Sequence, residues 1–517
     1  MKYGTKQFWS SSLARLSTDS DYPALTAILL LAMALRWWSP ALMSDLWYDE
    51  IFSLAVAQQP FGQMMHLLTG AESNPPLYFV MLHFWLKLGD SDLHAQLFSL
   101  LFAPASVVAM YRLASLIGSR QVSLLACLLF AVSQSTINYS VEVRHYSLFL
   151  FLSILSTYYF LSIILRSDLE SELLSRTLAV WAKYSIATTL VIYTHWFGLL
   201  LPLIHILGLV IYRRRQPNLY LQFVLSLLAV GVLCLPLILF LWGQVRLQES
   251  IGGFSWAEKP NWHSLVTVIS FLAGGKNLAV LAVMIFLIVY LSNKRQRGGD
   301  KTFLRHVCFF GSYILMPLVT VGIGSQVLAR YSLFVPRYFL PFTVGVCVLL
   351  SLSLLRVDKR IALFSIVLFI AYPVIKAIKH SKVPERPYSQ IALELPCELR
   401  PGVLIAHLSP MSYNPVRHYR QGCSTTEKVL WIEDVGRGYI LRRDVAGGLL
   451  DQSDSIELHS ALRGFSDIWI IIDQVDQDPG LRLVCDQLKY GSSLNLESEK
   501  VFGLCLLQHY SVPQQIL

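Results

Sequence analysis

Apolar runs of 17–24 residues recur through the first three quarters of the chain and constrain its fold more than any other feature. As helices, such runs are long enough to cross a hydrocarbon core of about 30 Å. Only 15% of the 517 residues are charged, whereas soluble domains carry about 25%, and the mean hydropathy is +0.52. This composition excludes a disordered, fibrous or ordinary cytosolic chain, and eight Cys are too few for a disulfide scaffold. A polytopic membrane protein is predicted.

Eleven of these runs are predicted to span the membrane, in residues 22–43, 94–116, 121–139, 147–165, 178–194, 196–212, 219–242, 277–292, 303–323, 338–355 and 361–377. Two further apolar pieces, 75–88 and 264–275, are too short to cross comfortably. We place both at the outer interface, as amphipathic or re-entrant segments. The first run is long and lacks a cleavage-like small-residue site behind it, so we interpret it as an anchor.

Basic residues orient this layout. Residues 1–379 hold 29 Lys and Arg against 16 Asp and Glu, whereas residues 380–517 hold 13 against 17. With the N-terminus in the cytoplasm, eleven spans place the strongest basic clusters inside, as the positive-inside rule requires. Counting either short piece as a span moves two or more clusters outside. We therefore expect an integral plasma (inner) membrane protein. Its basic residues are expected to keep one set of loops in the cytoplasm and to contact anionic lipid, and not to bind nucleic acid.

Residues 380–517 contain no apolar run of spanning length, so they are predicted to form a soluble extracytoplasmic domain after a transmembrane domain of residues 1–379. Short apolar runs at 403–408, 468–473 and 501–507 predict strands, and the polar segments between them suit helices. A small α/β domain is expected. Its four cysteines suit one or two disulfides in an oxidising compartment, and no pairing is indicated; they are Cys397, Cys423, Cys485 and Cys505.

The first external loop is the most informative stretch, in LWYDEIFSLAVAQQ and SNPPLYFVMLHFW. Asp49 and Glu50 directly follow the first span, and carboxylates so close to a bilayer are costly unless they face water or bind something. The alternative is that they only stabilise a helix N-terminus. Asn74 precedes two prolines that restrict the backbone. On residue type alone, a structural turn is the better interpretation of Asn74.

A second polar group lies between spans three and four, in NYSVEVRHYSLF. Glu142, Arg144, His145 and Tyr146 occupy the outer mouth of a hydrophobic hairpin. An ion pair between the Glu and the Arg is one interpretation. The other is that the Arg holds a phosphate in its fork of donors.

Two more segments carry polar residues at the predicted outer surface. In YTHWFG, His195 is more often an interface anchor than a ligand, because an aromatic belt residue follows it. ARYSLFVPRYFLPF carries Arg330, Arg337 and Tyr338 into span ten from outside. The positive-inside rule keeps Lys and Arg mainly on the cytoplasmic side. Arginines on the outer side are therefore unexpected, which favours the interpretation that they contact an anion.

Each signal alone is weak, but together they place carboxylates, arginines, a histidine and aromatic rings at one interface. This set suits transfer from a lipid whose phosphate lies at headgroup level. Because the phosphate is already a good leaving group, one general base has to take the acceptor's proton as it attacks. Cations have to stabilise the charge that builds on the departing phosphate.

The ordered set of motifs resembles the bacterial GT-C glycosyltransferases: DE after the first span, NPPLYF, E-x-R-x-Y, THWFG and PRYFLPF. More narrowly, it is similar to the family 39 group, with protein O-mannosyltransferase-like and aminoarabinose (lipid A) transferase-like enzymes. The likeness is clear over about residues 40–200 and weaker to 342. It implies a mainly α, GT-C helical bundle. It also implies an inverting enzyme that moves a sugar from a polyprenyl phosphate to a lipid, glycan or protein acceptor.

The resemblance also implies roles for particular residues. Asp49 would be the catalytic carboxylate, with Glu50 beside it as a supporting or metal-facing acid. No cofactor is required, and a divalent metal is left open. The chain departs from the aminoarabinose transferases at Asn74, where they have Lys, and at His145–Tyr146, where they have an acid. The residues that we expect to contact the substrate are Asn74, Glu142, Arg144, Tyr146, His195, Arg330, Arg337 and Tyr338.

Two other classes of function were weighed against the enzyme. A transporter or flippase for a lipid-linked or sugar substrate should show inverted repeats and charges near the membrane midplane. Here the acidic residues of the membrane part lie in loops and at span ends. A receptor or scaffold that works through its tail leaves Asp49, Glu50 and the external arginines without a role. Interface chemistry is therefore favoured.

The predicted topology can be tested with a fusion. A reporter attached after residue 380 should behave as extracytoplasmic, because the eleven-span layout ends outside. Alkaline phosphatase activity, which needs an oxidising compartment, would measure this, with a fusion after residue 297 as the cytoplasmic control. A reporter that is active after residue 297 and silent after residue 380 would overturn the layout.

Overall fold

The apolar runs of the sequence form helices in the computed structural model. The structure describes residues 21–70, 72, 74–165, 174–213, 216–251, 259–295, 300–327, 333–380, 386–398, 402–408, 410–431, 455–457, 465–473, 494–502 and 505–512. The helices before residue 381 are α1 Tyr22–Trp37, α2 Pro40–Met43, α3 Tyr48–Ala57, α4 Phe61–Gly70, α5 Leu77–Trp85, α6 Asp92–Leu100, α7 Phe102–Ser115, α8 Arg120–Val132, α9 Gln134–Tyr139, α10 Tyr146–Ile164, α11 Leu174–Thr194, α12 Leu200–Arg213, α13 Pro217–Cys234, α14 Leu237–Ile251, α15 Trp262–Leu272, α16 Lys276–Arg295, α17 Lys301–Val327, α18 Thr343–Leu354 and α19 Lys359–His380. Short 3-10 helices cover Leu86–Leu88, Trp196–Leu199 and Pro336–Phe342.

Each predicted span coincides with one of these helices or with a consecutive pair. Within the described residues, six helical segments are long and apolar enough to cross a membrane. They are Asp92–Ser115, Tyr146–Ile164, Trp196–Arg213, Pro217–Cys234, Lys301–Val327 and Pro336–Leu354. The other predicted spans correspond to α1, α8, α11 and α19, which are shorter or more polar, and to α16. Helix α5 with its 3-10 extension stays too short to span, as the sequence predicts.

The predicted re-entrant piece ends in a sharp bend. Helices α15 and α16 form a pair that is bent by 80°, and the count of spanning segments rises to seven if the pair is one span. The bend depends on Gly274, which has a φ of +83° that side chains rarely adopt. A Cβ on the next residue, Gly275, would lie 2.8 Å from the ring of Tyr372. The two glycines thus allow both the turn and its close packing against α19.

A buried arginine stabilises the break between α8 and α9. Arg36, in α1, is 1% exposed and donates to the carbonyl oxygens of Ala32 and Ala131 and to the Thr136 hydroxyl. The carbonyl of Ala131 lies at the end of α8, where carbonyl groups lack partners within their own helix. The guanidinium therefore supplies donors at the break, and the chain then turns through residues 140–145 at the end of the bundle that carries Asp49 and Glu50.

The C-terminal part forms the expected small α/β unit, with α20 (Tyr388–Glu394) and α21 (Pro410–His418) beside a sheet. The strands are β1 Val403–His407, β2 Thr426–Trp431, β3 Ser455–Glu457, β4 Asp467–Asp473, β5 Asn495–Phe502 and β6 Cys505–Ser511, in the order β3-β2-β1-β4-β6-β5. The first four are parallel, and β6 and β5 run antiparallel to their neighbours. The predicted run 501–507 is divided between β5 and β6.

Four cysteines of this domain were candidates for disulfides, and two of them are joined. Cys397 and Cys423 form a disulfide that connects the end of α20 to the segment before β2. Cys505 is buried as a free thiol, and Cys485 lies outside the described residues. One cross-link therefore ties the end of α20, the first helix of the domain, to the segment before β2.

The C-terminal domain docks directly on the loop of residues 45–93, which follows the first predicted span. Asp92, at the start of α6, accepts hydrogen bonds from Tyr419 at 2.8 Å and pairs with His418 at 2.9 Å. The backbone N–H of Ser389 donates to Asp45 at 2.6 Å. Trp47, in the same loop, packs against the apolar core of the domain. These contacts place the domain over the loop that carries Asp49 and Glu50.

Candidate active site

Asp49 lies in the first turn of α3 and faces Arg337, an arginine that is close in space but almost 300 residues later in the sequence. The helix begins at Tyr48, after Trp47 in an extended conformation, and acidic residues in a first turn are favoured by the helix dipole. An Asp49 carboxylate oxygen, Oδ2, lies 3.3 Å from Nη2 of Arg337. Both side chains are partly exposed, at 15% and 20%. Oδ2 itself and Nε of Arg337 are buried, so a substrate can approach the pair only at the exposed edges of the two side chains.

Glu50 has a different environment from its neighbour. It is 1% exposed and accepts hydrogen bonds from the backbone N–H of Val143 at 2.9 Å and of Trp47 at 3.2 Å. Nη1 of Arg386 also lies 3.2 Å from its Oε2. Burial raises the pKa of Glu50 to about 8, although Arg386 acts in the opposite direction. Glu50 thus joins the first loop to the second loop and is not open to a substrate.

Glu142 shares Arg386 with Glu50. Its Oε1 lies 3.7 Å from Nη2 of Arg386, and burial raises the pKa of Glu142 as well. Two buried carboxylates beside one guanidinium are more stable when at least one of them is protonated. Trp47 lies against the arginines, with its ring centroid 4.8 Å from the guanidinium of Arg386 and 5.3 Å from that of Arg337. Cation–π contacts therefore help to place both cations.

Arg144 pairs with an acid that the motif analysis did not single out. Its Nη1 lies 3.3 Å from Oε2 of Glu72 and 3.2 Å from the Ser53 hydroxyl. The other oxygen of Glu72 accepts hydrogen bonds from the backbone and the side-chain amide of Asn74, at 3.0 and 2.7 Å. Gln244 donates to the Asn74 carbonyl at 3.3 Å. Asn74 therefore orients Glu72, which in turn positions Arg144 against α3.

Two neutral histidines lie next to each other beneath this group. The rings of His145 and His195 are 4.9 Å apart, and burial lowers both pKa values, that of His195 to about 3. The backbone N–H of Phe197 donates to Nδ1 of His195 at 3.0 Å, so Nε2 carries the proton of the neutral ring. That N–H and both ring nitrogens of His145 make no hydrogen bond within the described residues. Buried groups of this kind are candidates to meet a ligand or water.

The remaining sequence-predicted residues border the same region. The Tyr146 ring packs edge-on against Tyr139 at 5.2 Å, and the Tyr338 ring lies 5.0 Å from His195. Arg330 lies outside the described residues. No group of three or more His, Cys, Asp or Glu side chains that could hold a metal ion occurs in the part of the chain that is described.

The structure thus brings together all but one of the predicted residues, and it adds three that were missed: Glu72, Trp47 and Arg386. A signal for Arg386 was present. It is a cation just beyond the last span on the outer side, which is the argument that singled out Arg337. Glu72 lies two residues before Asn74, but no local pattern connects it to Arg144. Nothing in the sequence marks Trp47 as a partner of two arginines.

No protein-family model matches the sequence, and no curated protein matches it. Comparison with solved structures finds ArnT from Cupriavidus metallidurans in the apo state, with a TM-score of 0.61 at 11% identity over 95% of this chain and 98% of that chain. This chain has the GT-C fold. The predicted fold class, a helical membrane bundle with a small C-terminal sheet domain, is confirmed.

Two further solved structures share the GT-C fold. ArnT from the same organism, bound to undecaprenyl phosphate, has a TM-score of 0.58 at 11% identity over 94% of this chain and 97% of that chain. The Archaeoglobus fulgidus oligosaccharyltransferase, in complex with Zn and sulfate, has a TM-score of 0.53 at 11% identity over 95% of this chain and 73% of that chain.

The environment of Glu50 predicts a pH-dependent stability. Because its pKa is raised from 4.5 to about 8, the folded protein keeps a proton that the unfolded chain has released. This contribution is complete below pH 4.5 and is lost as the pH rises through about 8. The thermal midpoint of the wild-type protein in detergent should therefore fall more steeply with rising pH than that of Glu50→Gln. Glu394→Gln, at an exposed site, should follow the wild type; parallel curves for wild type and Glu50→Gln would contradict the assignment.

Proposed function

We propose that this protein is an inverting glycosyltransferase that moves a sugar from a polyprenyl-phosphate donor to an extracytoplasmic acceptor, with Asp49 as the general base. The pairing of Asp49 with Arg337 is the single observation that carries the proposal. It puts a potential proton acceptor and a permanent cation together, partly exposed, at the outer end of a bundle with the GT-C fold. A polyprenyl phosphate is also what the second ArnT structure holds.

In the proposed reaction, an acceptor hydroxyl or phosphate oxygen attacks the anomeric carbon from the face opposite the donor phosphate. The bond between that carbon and the phosphate oxygen breaks, and the oxygen leaves with the electron pair. Where the attacking oxygen carries a proton, Asp49 accepts it. The anomeric centre is inverted because a single displacement takes place.

Arg337 is proposed to bind the donor phosphate and to stabilise the charge of the leaving group. A guanidinium stays protonated at all relevant pH values and can offer two parallel donors to a phosphate. The phosphate competes with Asp49 for these donors, which frees the carboxylate for the acceptor. The Nε2–H of the neutral His195 is a further donor in this region, because the ring of His195 lies 5.0 Å from that of Tyr338, the residue next to Arg337.

Glu50, Arg144 and Glu72 are proposed to position Asp49 and not to react. The guanidinium of Arg144 donates to the Asp49 carbonyl at 3.4 Å, and the Ser53 hydroxyl donates to the same oxygen at 2.9 Å. These contacts hold the first turn of α3. A base has to be held within a narrow range of its productive geometry, so rigidity here serves catalysis.

The extracytoplasmic location of the site rests on two observations. The positive-inside rule orients the bundle with this end outside. The domain docked on the site contains the Cys397–Cys423 disulfide, and disulfides persist in oxidising compartments. We therefore propose that transfer takes place on the outer face of the cytoplasmic membrane.

Loss of the proposed base should abolish transfer. We expect Asp49→Asn to reduce transfer by at least about 100-fold, the low end for removal of a general base, while membrane insertion and the thermal midpoint are retained. The product would be identified by mass spectrometry of envelope lipids and glycans from cells with the gene, without it, or with Asp49→Asn. Asp90→Asn, an exposed acid near the end of the same loop, is the matched control. A well-folded, active Asp49→Asn protein would refute the assignment.

Arg337 should contribute to donor binding through its charge and through its shape. We expect Arg337→Ala to weaken binding of undecaprenyl phosphate by about tenfold or more, the effect of one charge-assisted hydrogen bond. Arg337→Lys should be less affected, because the cation remains while the fork is lost. Binding to the detergent-solubilised full chain would be measured, with the exposed Arg246→Ala as control. Equal affinity in all four proteins would remove Arg337 from the site.

A further inference from the structure

A polar cavity of about 220 Å³ lies next to the Glu142–Arg386 pair. Only one of its lining residues, Ala41, is apolar; the others are Ser44, Gln134, Asn138, Tyr139, Glu142, Lys376 and Arg386. Neither Asp49 nor Arg337 lines it, so it is distinct from the proposed donor phosphate site. Ligand pockets for drug-sized molecules measure about 300–1,000 Å³. This cavity therefore has room for a headgroup and not for a whole lipid.

Two buried oxygens beside this cavity require hydrogen-bond donors. Gln134 is 9% exposed, and its amide nitrogen donates to Oδ1 of Asn138 at 2.6 Å, which orients the side chain. The amide oxygen of Gln134 and Oε2 of Glu142 make no hydrogen bond within the described residues. Buried acceptors are normally paired with a donor of the protein, water or a ligand. Both side chains line the cavity, and a small rotation of either toward it would bring its oxygen to a sugar hydroxyl.

The charged residues of the cavity favour an anion. Lys376, near the outer end of α19, and Arg386 contribute two positive charges, and Glu142 is the one acid in the lining. With two cations and one acid in its lining, the cavity has a net positive charge. An anionic group bound between Lys376 and Arg386 would complete this arrangement.

We propose that this cavity binds the headgroup of the acceptor, and that this headgroup is a sugar that carries a phosphate or a carboxylate. The inference rests on the proposed function, since it names the second substrate of that transferase. The donor has one phosphate, for which Arg337 is already available. Arg386 joins the two sites, because its guanidinium contacts Glu50, the neighbour of Asp49, and also lines the cavity.

Lys376 provides a probe of the cavity that needs no transfer reaction. In the detergent-solubilised full chain, acetylation of Lys376 by an amine-reactive ester would be followed by mass spectrometry. Lys359, exposed at the other end of α19, is the control. We expect glucose 1-phosphate and glucuronate to slow acetylation of Lys376 at least about threefold and to leave Lys359 unaffected. Glucose, which has no charge, should require at least about tenfold higher concentration, the effect of losing one charge-assisted contact.

Several outcomes would overturn the proposal. No protection by either anionic sugar would show that the cavity is not a binding site for this class. Equal protection by glucose would remove the charge argument. Stronger protection by undecaprenyl phosphate than by the anionic sugars would assign the cavity to the donor. Because Asp49→Asn should retain the protection, a failure here is distinguishable from a failure of the proposed reaction.

A kinetic measurement tests the same site during transfer. With an envelope lipid extract as the acceptor pool, Lys376→Gln should raise the extract concentration for half-maximal transfer at least about fivefold. The KM for the donor should stay within about twofold, and Lys376→Arg should restore the acceptor value. An equal rise for donor and acceptor would indicate a general structural defect and contradict the assignment, as would no rise in either.

Discussion

The site depends on one guanidinium that pairs with two buried carboxyl groups. Arg386 belongs to the segment that leads into the C-terminal domain, whereas Glu50 and Glu142 belong to the first and second external loops of the bundle. Without a cation between them, two acids buried this close would repel each other and would be costly to desolvate. The arginine therefore makes the packing of the loops conditional on the docking of the domain. Its stacking on Trp47, which also contacts Arg337, extends this dependence to the exposed part of the site.

Asp49 and Glu50 are adjacent in sequence but have opposite surroundings because they lie in a helix. Successive residues of an α-helix point about 100° apart, so Asp49 faces Arg337 while Glu50 is turned into the bundle. The buried acid gains backbone hydrogen bonds from Trp47 and Val143. Asp49 keeps a partly exposed side chain, at 15%. The two consecutive acids therefore differ in their surroundings: Glu50 fixes the helix and the loop behind it, and Asp49 faces Arg337.

The shared fold at 11% identity follows from the solvent in which the bundle lies. In a bilayer, the polar groups of the backbone have to form their hydrogen bonds within each helix. At positions that face lipid or pack against another helix, many different apolar side chains fit equally well. Sequence identity can therefore fall very far while the arrangement of helices persists. Polar residues at the outer surface are under different constraints, since each needs a partner of a particular charge. The buried neutral pair His145 and His195, and the ion pair of Arg144 with Glu72, are examples.

The sequence alone determined the class of the protein. The length of each apolar run and the positions of the basic residues are local properties of the sequence, and they decide directly how a chain inserts into a bilayer. It also predicted the small α/β domain and indicated Asp49, Glu142, Arg144, His195 and Arg337 as residues of one outer surface. It did not indicate which acid meets which cation. That was decided by tertiary structure, since the partners lie far apart in the chain: Arg386 is 336 residues from Glu50, and Arg144 is 72 residues from Glu72. Which charged residues pair depends on their distance in space, and the local pattern of neighbouring residues does not predict it.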